Sequence, residues 1–324
     1  MKHSTFQTWF GQLPMLTHPQ QARVREALGT REPVVPETLA WLATLPEPGC
    51  PYCQAERPYR WGYQAGAPRY RCRHCRHTFT AFTGTPLARL RYKARWLTYS
   101  EALQEGLTVR KAAQRCGIHK NTSFRWRHRF LTRPADCKAE HLHGIVEADE
   151  TYFPYSCKGQ RHLSRPPRQR GKQIHARGTG AEQVPVLVVR DRAGATADVQ
   201  LPVSNTQVVT ACLSPLLPGD SILCSDGATV YRQAAHHLGI RHRPINLAQG
   251  IRVVAGVYHI QNVNAYDSRL KSWMKRFHGV ATKYLKNYLG WRRWLERWGP
   301  DNSPRVGLYA ALGLEKQFQR LTQT

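Results

Sequence analysis

Between residues 144 and 203 the apolar positions fall into short runs, 144–153, 184–190 and 196–203, rich in Val and bounded by Gly, Pro and Asp. Runs of this length and composition predict β-strands, with Arg192-Ala193-Gly194 turning the second into the third. A helical period follows at 206–217, then a short apolar strand at 221–224 that runs into Ser225-Asp226-Gly227. A further helix at about 230–238 stops at Gly239, and a long one opens near Asn262. The order β-β-β-α-β-α, followed by that long helix, predicts an α/β fold in which helices flank a sheet.

Upstream the pattern is helical twice over. Residues 6–45 carry apolar positions such as Leu16, Val24 and Leu28 at helical spacing, with Thr17 placed as a cap before His18-Pro19. Pro46, Pro48 and Gly49 then break the chain ahead of a cysteine segment that ends near Thr85-Pro86. Beyond it Thr108 can cap a helix at 109–115, Cys116-Gly117 supplies a turn, and 120–130 forms a second helix anchored by Phe124 and Phe130. This is the outline of a helix-turn-helix. Lys120, Asn121, Thr122, Arg125, Arg127 and His128 are then the candidates to face a major groove. The expected domains are an N-terminal helical segment (1–47), a cysteine ribbon (48–86), the helix-turn-helix (87–135), an α/β domain (136–298) and a C-terminal helical tail (299–324).

Charge sharpens this picture. The 324 residues carry 48 Lys and Arg against 21 Asp and Glu, a net +27 whose natural counterpart is a polyanion. Segment 48–135 holds +15 of it, and because that segment is also rich in aromatic and periodic apolar positions, it reads as folded basic surface. Double-stranded DNA is the expected partner. Residues 155–180 form a long insert with seven basic side chains and no acid, among them Lys158, Arg161, Arg165, Arg168, Arg170 and Lys172. An arm that contacts DNA and an unstructured insert are both open readings. No apolar run is long enough for a membrane span and no secretory leader is recognisable, so a soluble, cytoplasmic protein is expected.

Cys50-x2-Cys53 and Cys72-x2-Cys75 lie 18 residues apart, the spacing at which two tight knuckles close a tetrahedral thiolate site for a structural Zn2+. The other five cysteines, Cys116, Cys137, Cys157, Cys212 and Cys224, are scattered as in a reducing compartment. Arg57, Arg60, Arg69, Arg71, Arg73, Arg76 and His77 stud the ribbon between Tyr59, Trp61, Tyr63 and Tyr70. Such a surface suits a phosphate backbone, and a protein-docking role is the alternative.

Candidate chemistry lies in carboxylates on strands. Alternation places Glu147 and Asp149 on one face of the first strand, where an unpaired charge is costly unless it binds something. Asp226 follows the apolar strand at 221–224, at the carboxyl end where open α/β sheets place their sites. Two aspartates from neighbouring strand ends can hold divalent ions that activate an attacking oxygen and stabilise a leaving one. Between Asp226 and Glu296 the sequence has Asp267 as its single acid. Asn264 and Lys271, seven apart on the long helix, face the same way. The amide oxygen of Asn264 is therefore a candidate third ligand, and Lys271 a candidate phosphate contact. His259 reads as local structure or a DNA contact.

These residues, taken with EADET (147–151), VLVVRDRAG (186–194), NVNAYDSRLK (262–271) and FHGVATKYLKNYLGW (277–291), resemble bacterial insertion-sequence transposases of the zinc-ribbon DDE class. The resemblance implies an RNase H-like catalytic domain with a mixed sheet, preceded by the zinc ribbon and the helix-turn-helix. It also implies a catalytic set of Asp149, Asp226, Asn264 and Lys271 that uses two Mg2+ or Mn2+ ions. The implied activity is cleavage of the element's terminal inverted repeats and their joining to target DNA, in a homodimer or higher oligomer. Members of the class often carry His where this chain has Asp267. The alternative reading is a DNA-binding regulator on a transposase scaffold, inactive because Asn264 replaces a carboxylate; a structure-selective nuclease is a third.

Overall fold

The computed structural model describes residues 3–12, 15–17, 20, 23–24, 37–163, 166, 182–298 and 303–314. They divide into two compact units, residues 1–83 with 91–96, and residues 84–90 with 97–324. Among the described residues no helix is long and apolar enough to cross a membrane.

In the first unit, helices α1 (His3–Gln12) and α2 (Glu37–Ala43) precede a small antiparallel sheet of β1 (Tyr59–Gln64), β2 (Ala67–Arg71) and β3 (Thr78–Thr80). Thr17 donates both its N–H and its hydroxyl to Gln20 Oε1 at 2.9 Å, and the bond from its N–H is the side-chain-to-backbone half of a capping box. Leu28 lies outside the described residues. Tyr70 and Phe79 stack across β2 and β3 against Cys50 and Cys72, so the sheet's small core is built around sulfur. The knuckles close as their spacing predicts: Cys50 N–H donates to Ala55 O at 2.9 Å, and the N–H groups of His74 and Cys75 point at Cys72 Sγ at 3.3 and 3.4 Å.

The second unit begins with three helices, α3 (Trp96–Gln104), α4 (Val109–Arg115) and α5 (Lys120–Phe130). Thr108 caps α4 by accepting from Lys111 N–H at 3.4 Å, and Gly117, at φ 57°, makes the left-handed turn between α4 and α5. Trp126 and Phe130 of α5 pack with Tyr99 of α3. A short helix α6 (Thr132–Asp136) leads into the main sheet.

That sheet consists of β4 (Ile145–Pro154), β5 (Gln183–Asp191), β6 (Thr196–Gln200), β7 (Ile222–Ser225) and β8 (Arg241–Pro244), in the order β6-β5-β4-β7-β8. The first three strands form an antiparallel meander, while β7 runs parallel to β4 and β8 parallel to β7. This mixed sheet, an antiparallel meander extended by two parallel strands, bears out the α/β expectation. Val146, Ala148, Leu187, Val189 and Leu223 face α7 (Thr206–Leu213) and α8 (Thr229–Leu238), whose Val209, Leu213, Tyr231 and Ala234 complete the core. The opposite face receives α9 (Gln261–Lys275). Helix α10 (Leu285–Trp298) lies against α6 and β6. A methyl at Gly290 would overlap the backbone of Pro134 and Ala135, so only glycine permits that approach. Helix α11 (Pro304–Leu312), capped by Ser303 and opened by a proline, closes the described chain.

Candidate active site

Three elements converge on the α9 face of the sheet. Strand β4 presents Glu147 and Asp149 to this side because Val146 and Ala148 are claimed by the core beneath. Glu147 is fully buried and does not wait for a ligand: its carboxylate accepts from Asn262 N–H at 2.8 Å, Val263 N–H at 3.0 Å and Asn262 Nδ2 at 3.0 Å. Those are first-turn donors of α9, which carry the positive end of the helix dipole. Arg192, from the β5–β6 turn, reaches the same carboxylate at 2.7 Å and His259 approaches it at 3.4 Å. Arg192 also donates to Val257 O at 2.8 Å. The cost of burying Glu147 is therefore met by the helix that it anchors.

Asp149 lies one step further along the same face. Its Oδ1 accepts from Glu150 N–H at 2.9 Å. Burial pushes its carboxyl up to about 6, and the negative charges of Asp226 and Glu150 push the same way, against the opposing pull of Lys271. Asp226 follows β7, which pairs in parallel with β4; its Oδ1 accepts from Ala228 N–H at 3.0 Å and the side chain stays exposed. On α9, Asp267 is buried, and burial together with Asp149 pushes it up to about 7. Its Oδ1 has no hydrogen-bond partner among the described residues. Asn264 and Lys271 lie on the exposed side of the helix. Asp149, Glu150, Asp226, Asp267 and Lys271 thus share one electrostatic neighbourhood, an excess of negative charge that suits divalent cations.

The four cysteines of the ribbon form a second candidate centre. Their sulfurs all lie within 4.8 Å of one another, a set that could hold a metal ion.

The candidate DNA contacts sort into two groups. Lys120, Asn121 and Arg125 are exposed along α5, and Thr122 is half-buried. Arg127 and His128, expected at the groove, turn inward instead. Arg127 is fully buried, donating to Leu107 O at 2.6 Å and Tyr288 OH at 3.5 Å, with its guanidinium 5.0 Å from the ring centre of Trp291. His128 stacks on Tyr284 at 3.7 Å and contacts Asn287 Nδ2 at 3.1 Å. Burial first, then Arg127 and Lys283, lowers it to about 4, so it is neutral at pH 7. Both residues tie α5 to the α10 segment.

Lys158, expected on the DNA-contacting arm, points its Nζ at the carbonyls of Gly279, His278 and Phe277, at 2.8, 3.2 and 3.5 Å. It caps the chain leaving α9. Arg161 is exposed, while Arg165, Arg168, Arg170 and Lys172 lie outside the described residues. In the ribbon Arg69 donates to Thr78 Oγ1 at 2.8 Å, Arg71 and Arg73 lie over aromatic rings, and Arg76 is exposed. The sequence reading missed Arg192 and Asn262 as supports of the site. In sequence Arg192 reads as part of a turn and of the VLVVRDRAG run that carries the resemblance, and nothing in its spacing points to Glu147.

A helix-turn-helix joined to a mixed sheet with clustered carboxylates is the arrangement that the resemblance to insertion-sequence transposases implies. Residues 87–136 match the homeodomain-like domain, and residues 141–295, just under half of the chain, match the ISXO2-like transposase domain. An uncharacterized protein in transposable element ISH50 of Halobacterium salinarum is 28% identical over 244 residues, 74% of this chain and 82% of that protein. Solved structures with some likeness include a pre-cleavage Mos1 transpososome (14% identity, 69% of this chain and 77% of that one, TM-score 0.25). The Mos1 paired-end complex with Mg is comparable (14% identity, 68% and 76%, TM-score 0.27). Scores this low align no site residues.

Proposed function

We propose that the protein is a DNA transposase that cuts the terminal inverted repeats of its element and joins them to target DNA. The observation that carries this reading is the approach of Asp149 on β4 to Asp226, which follows the parallel neighbour β7, with Lys271 pulling against their negative charge. Asp149, Asp226 and the amide oxygen of Asn264 would hold the catalytic Mg2+ or Mn2+ ions. Such ions, when bound, activate a water or 3′-hydroxyl and neutralise charge on the leaving oxygen. Lys271 binds the phosphate being transferred. Phosphoryl transfer of this kind asks for positioning and charge neutralisation, and needs no nucleophile from the protein. Glu147 serves by fixing the start of α9, and with it the helix that carries Asn264 and Lys271.

Cys50, Cys53, Cys72 and Cys75 would hold a structural Zn2+, with no open coordination position for chemistry. Helix α5 offers Lys120, Asn121 and Arg125 to a major groove. Because two element ends must be cut and joined together, the working form is a homodimer or larger, acting on DNA in the cytoplasm.

Incubating the protein with Mg2+ and DNA that carries the repeats flanking its gene is expected to yield nicked and joined strands. Binding without either product, in Mg2+ and in Mn2+ alike, would leave the inactive regulator in its place. Cutting that ignores the repeats and yields no joined strand would indicate a structure-selective nuclease.

The pH dependence follows from Asp149. Metal must displace its proton, and burial holds that proton up to about pH 6 in the metal-free protein. Below that value metal binding is expected to weaken, by roughly tenfold per pH unit for a single proton. Thermal stabilisation by Mg2+, measured at pH 5 and pH 8, is therefore expected to be much larger at pH 8. Equal stabilisation at both would remove Asp149 from the metal shell.

A further inference from the structure

The first unit leaves strand β1 open to solvent at all six positions. Tyr59 is 42% exposed, Trp61 49% and Tyr63 73%. Across the hairpin, the guanidinium of Arg73 lies 4.0 Å from the ring centre of Tyr59, and that of Arg71 lies 4.7 Å from the ring centre of Trp61. Arg73 is held there by donating to Arg57 O at 2.8 Å. Two aromatic–guanidinium pairs therefore sit side by side on one open face. Segment 48–83 has six arginines and Glu56 as its one acid, while Glu47 just before it is taken by Arg60 at 3.2 Å.

A phosphate backbone alone explains the arginines but not the rings. In a duplex the faces of the bases are stacked away and only their edges reach the grooves, so exposed Tyr and Trp rings gain little from it. Unpaired bases present flat faces, and these stack on aromatic rings and on guanidinium planes alike, while arginines track the phosphates between them. Apolar rings framed by a cationic surface fit such a polyanion better than they fit a neutral protein face.

We propose that the Tyr59–Trp61–Arg71–Arg73 face is a stacking platform for single-stranded DNA, distinct from the α5 surface that faces duplex. The proposal rests on the reading that DNA is the substrate, and names its form at this site: the strand left unpaired when an element end is opened.

The test uses the full-length, zinc-loaded protein without Mg2+, with fluorescently labelled oligo-dT of 12 nucleotides and a blunt duplex as separate probes in anisotropy titrations at one salt concentration. Trp61→Ala is expected to weaken oligo-dT binding by about tenfold or more while leaving duplex binding within twofold. Trp61→Phe, which keeps a ring, is expected to retain most of the wild-type affinity for oligo-dT, whereas Arg71→Lys, which keeps charge without a plane, is expected to lose severalfold on oligo-dT and little on duplex. Equal losses on both probes, or none on oligo-dT, would overturn the proposal. So would unchanged oligo-dT binding with altered self-association in sedimentation, which would assign the face to a second copy. Cleavage is scored separately: a protein that binds oligo-dT through Trp61 but never cuts keeps the platform and loses the transposase reading.

Discussion

Asp149→Asn is expected to lower end cleavage by on the order of 10³-fold while leaving binding to the inverted-repeat duplex unchanged. The same substitution is expected to make the metal-free fold more stable. The carboxyl of Asp149 is raised to about 6, chiefly by burial. Below about pH 4 it is protonated in both the folded and unfolded chains and contributes nothing. Between about 4 and 6 the folded chain keeps a proton that the unfolded chain has lost, so stability falls as pH rises; above about 6 the full penalty is present. Removing the charge should recover on the order of 2 kcal/mol at pH 7, seen as a higher melting temperature without metal. A residue held for packing would show the opposite sign. Cleavage within a few-fold of wild type would overturn the assignment.

Glu147→Ala is expected to cut stability and activity together. It strands two N–H groups at the start of α9 and leaves Arg192 facing a buried gap. Loss of one partner from a buried pair costs about 3–5 kcal/mol, equivalent to a fall in melting temperature on the order of 10 °C for a unit of this size. Glu147→Gln keeps one acceptor for the helix and should melt closer to wild type, yet still need more Mg2+ for half-maximal cleavage if α9 is misplaced. Wild-type metal dependence in that variant would reduce Glu147 to a purely structural brace.

Much of this was readable from the chain because local signals and tertiary structure agree. Strands β4, β5 and β7 are apolar runs, α8 stops at Gly239, and α4 starts at Thr108, each for a reason that acts within a few residues. Strand β8 escaped notice because Arg241-His242-Arg243-Pro244 has no buried alternation; it is an edge strand, recognised only by its parallel partner β7. The acids on β4 were legible as a pair but not as two different roles, since Glu147 meets donors 115 residues away in α9. Arg127 and His128 were misread for the same reason. A basic residue on a short helix is assigned to solvent or to a ligand by default, and only the aromatic wall of Tyr284, Tyr288 and Trp291 reverses that. Lys158 shows the limit in a loop, where charge alone does not reveal that carbonyls already wait nearby.

The burial of Arg127 and the ring stack of His128 on Tyr284 make the reading helix and the sheet pieces of one block rather than beads on a string. A DNA-cutting enzyme wired this way would behave as a ruler with a fixed angle. Adding a single base pair between a sequence held by α5 and the bond to be broken would rotate that bond by roughly 35° around the duplex, and the contacts of Arg127 and His128 oppose a matching turn of the helix. On the proposed function, the element's ends would therefore keep their internal spacing to the base pair, even where the intervening letters are free to drift.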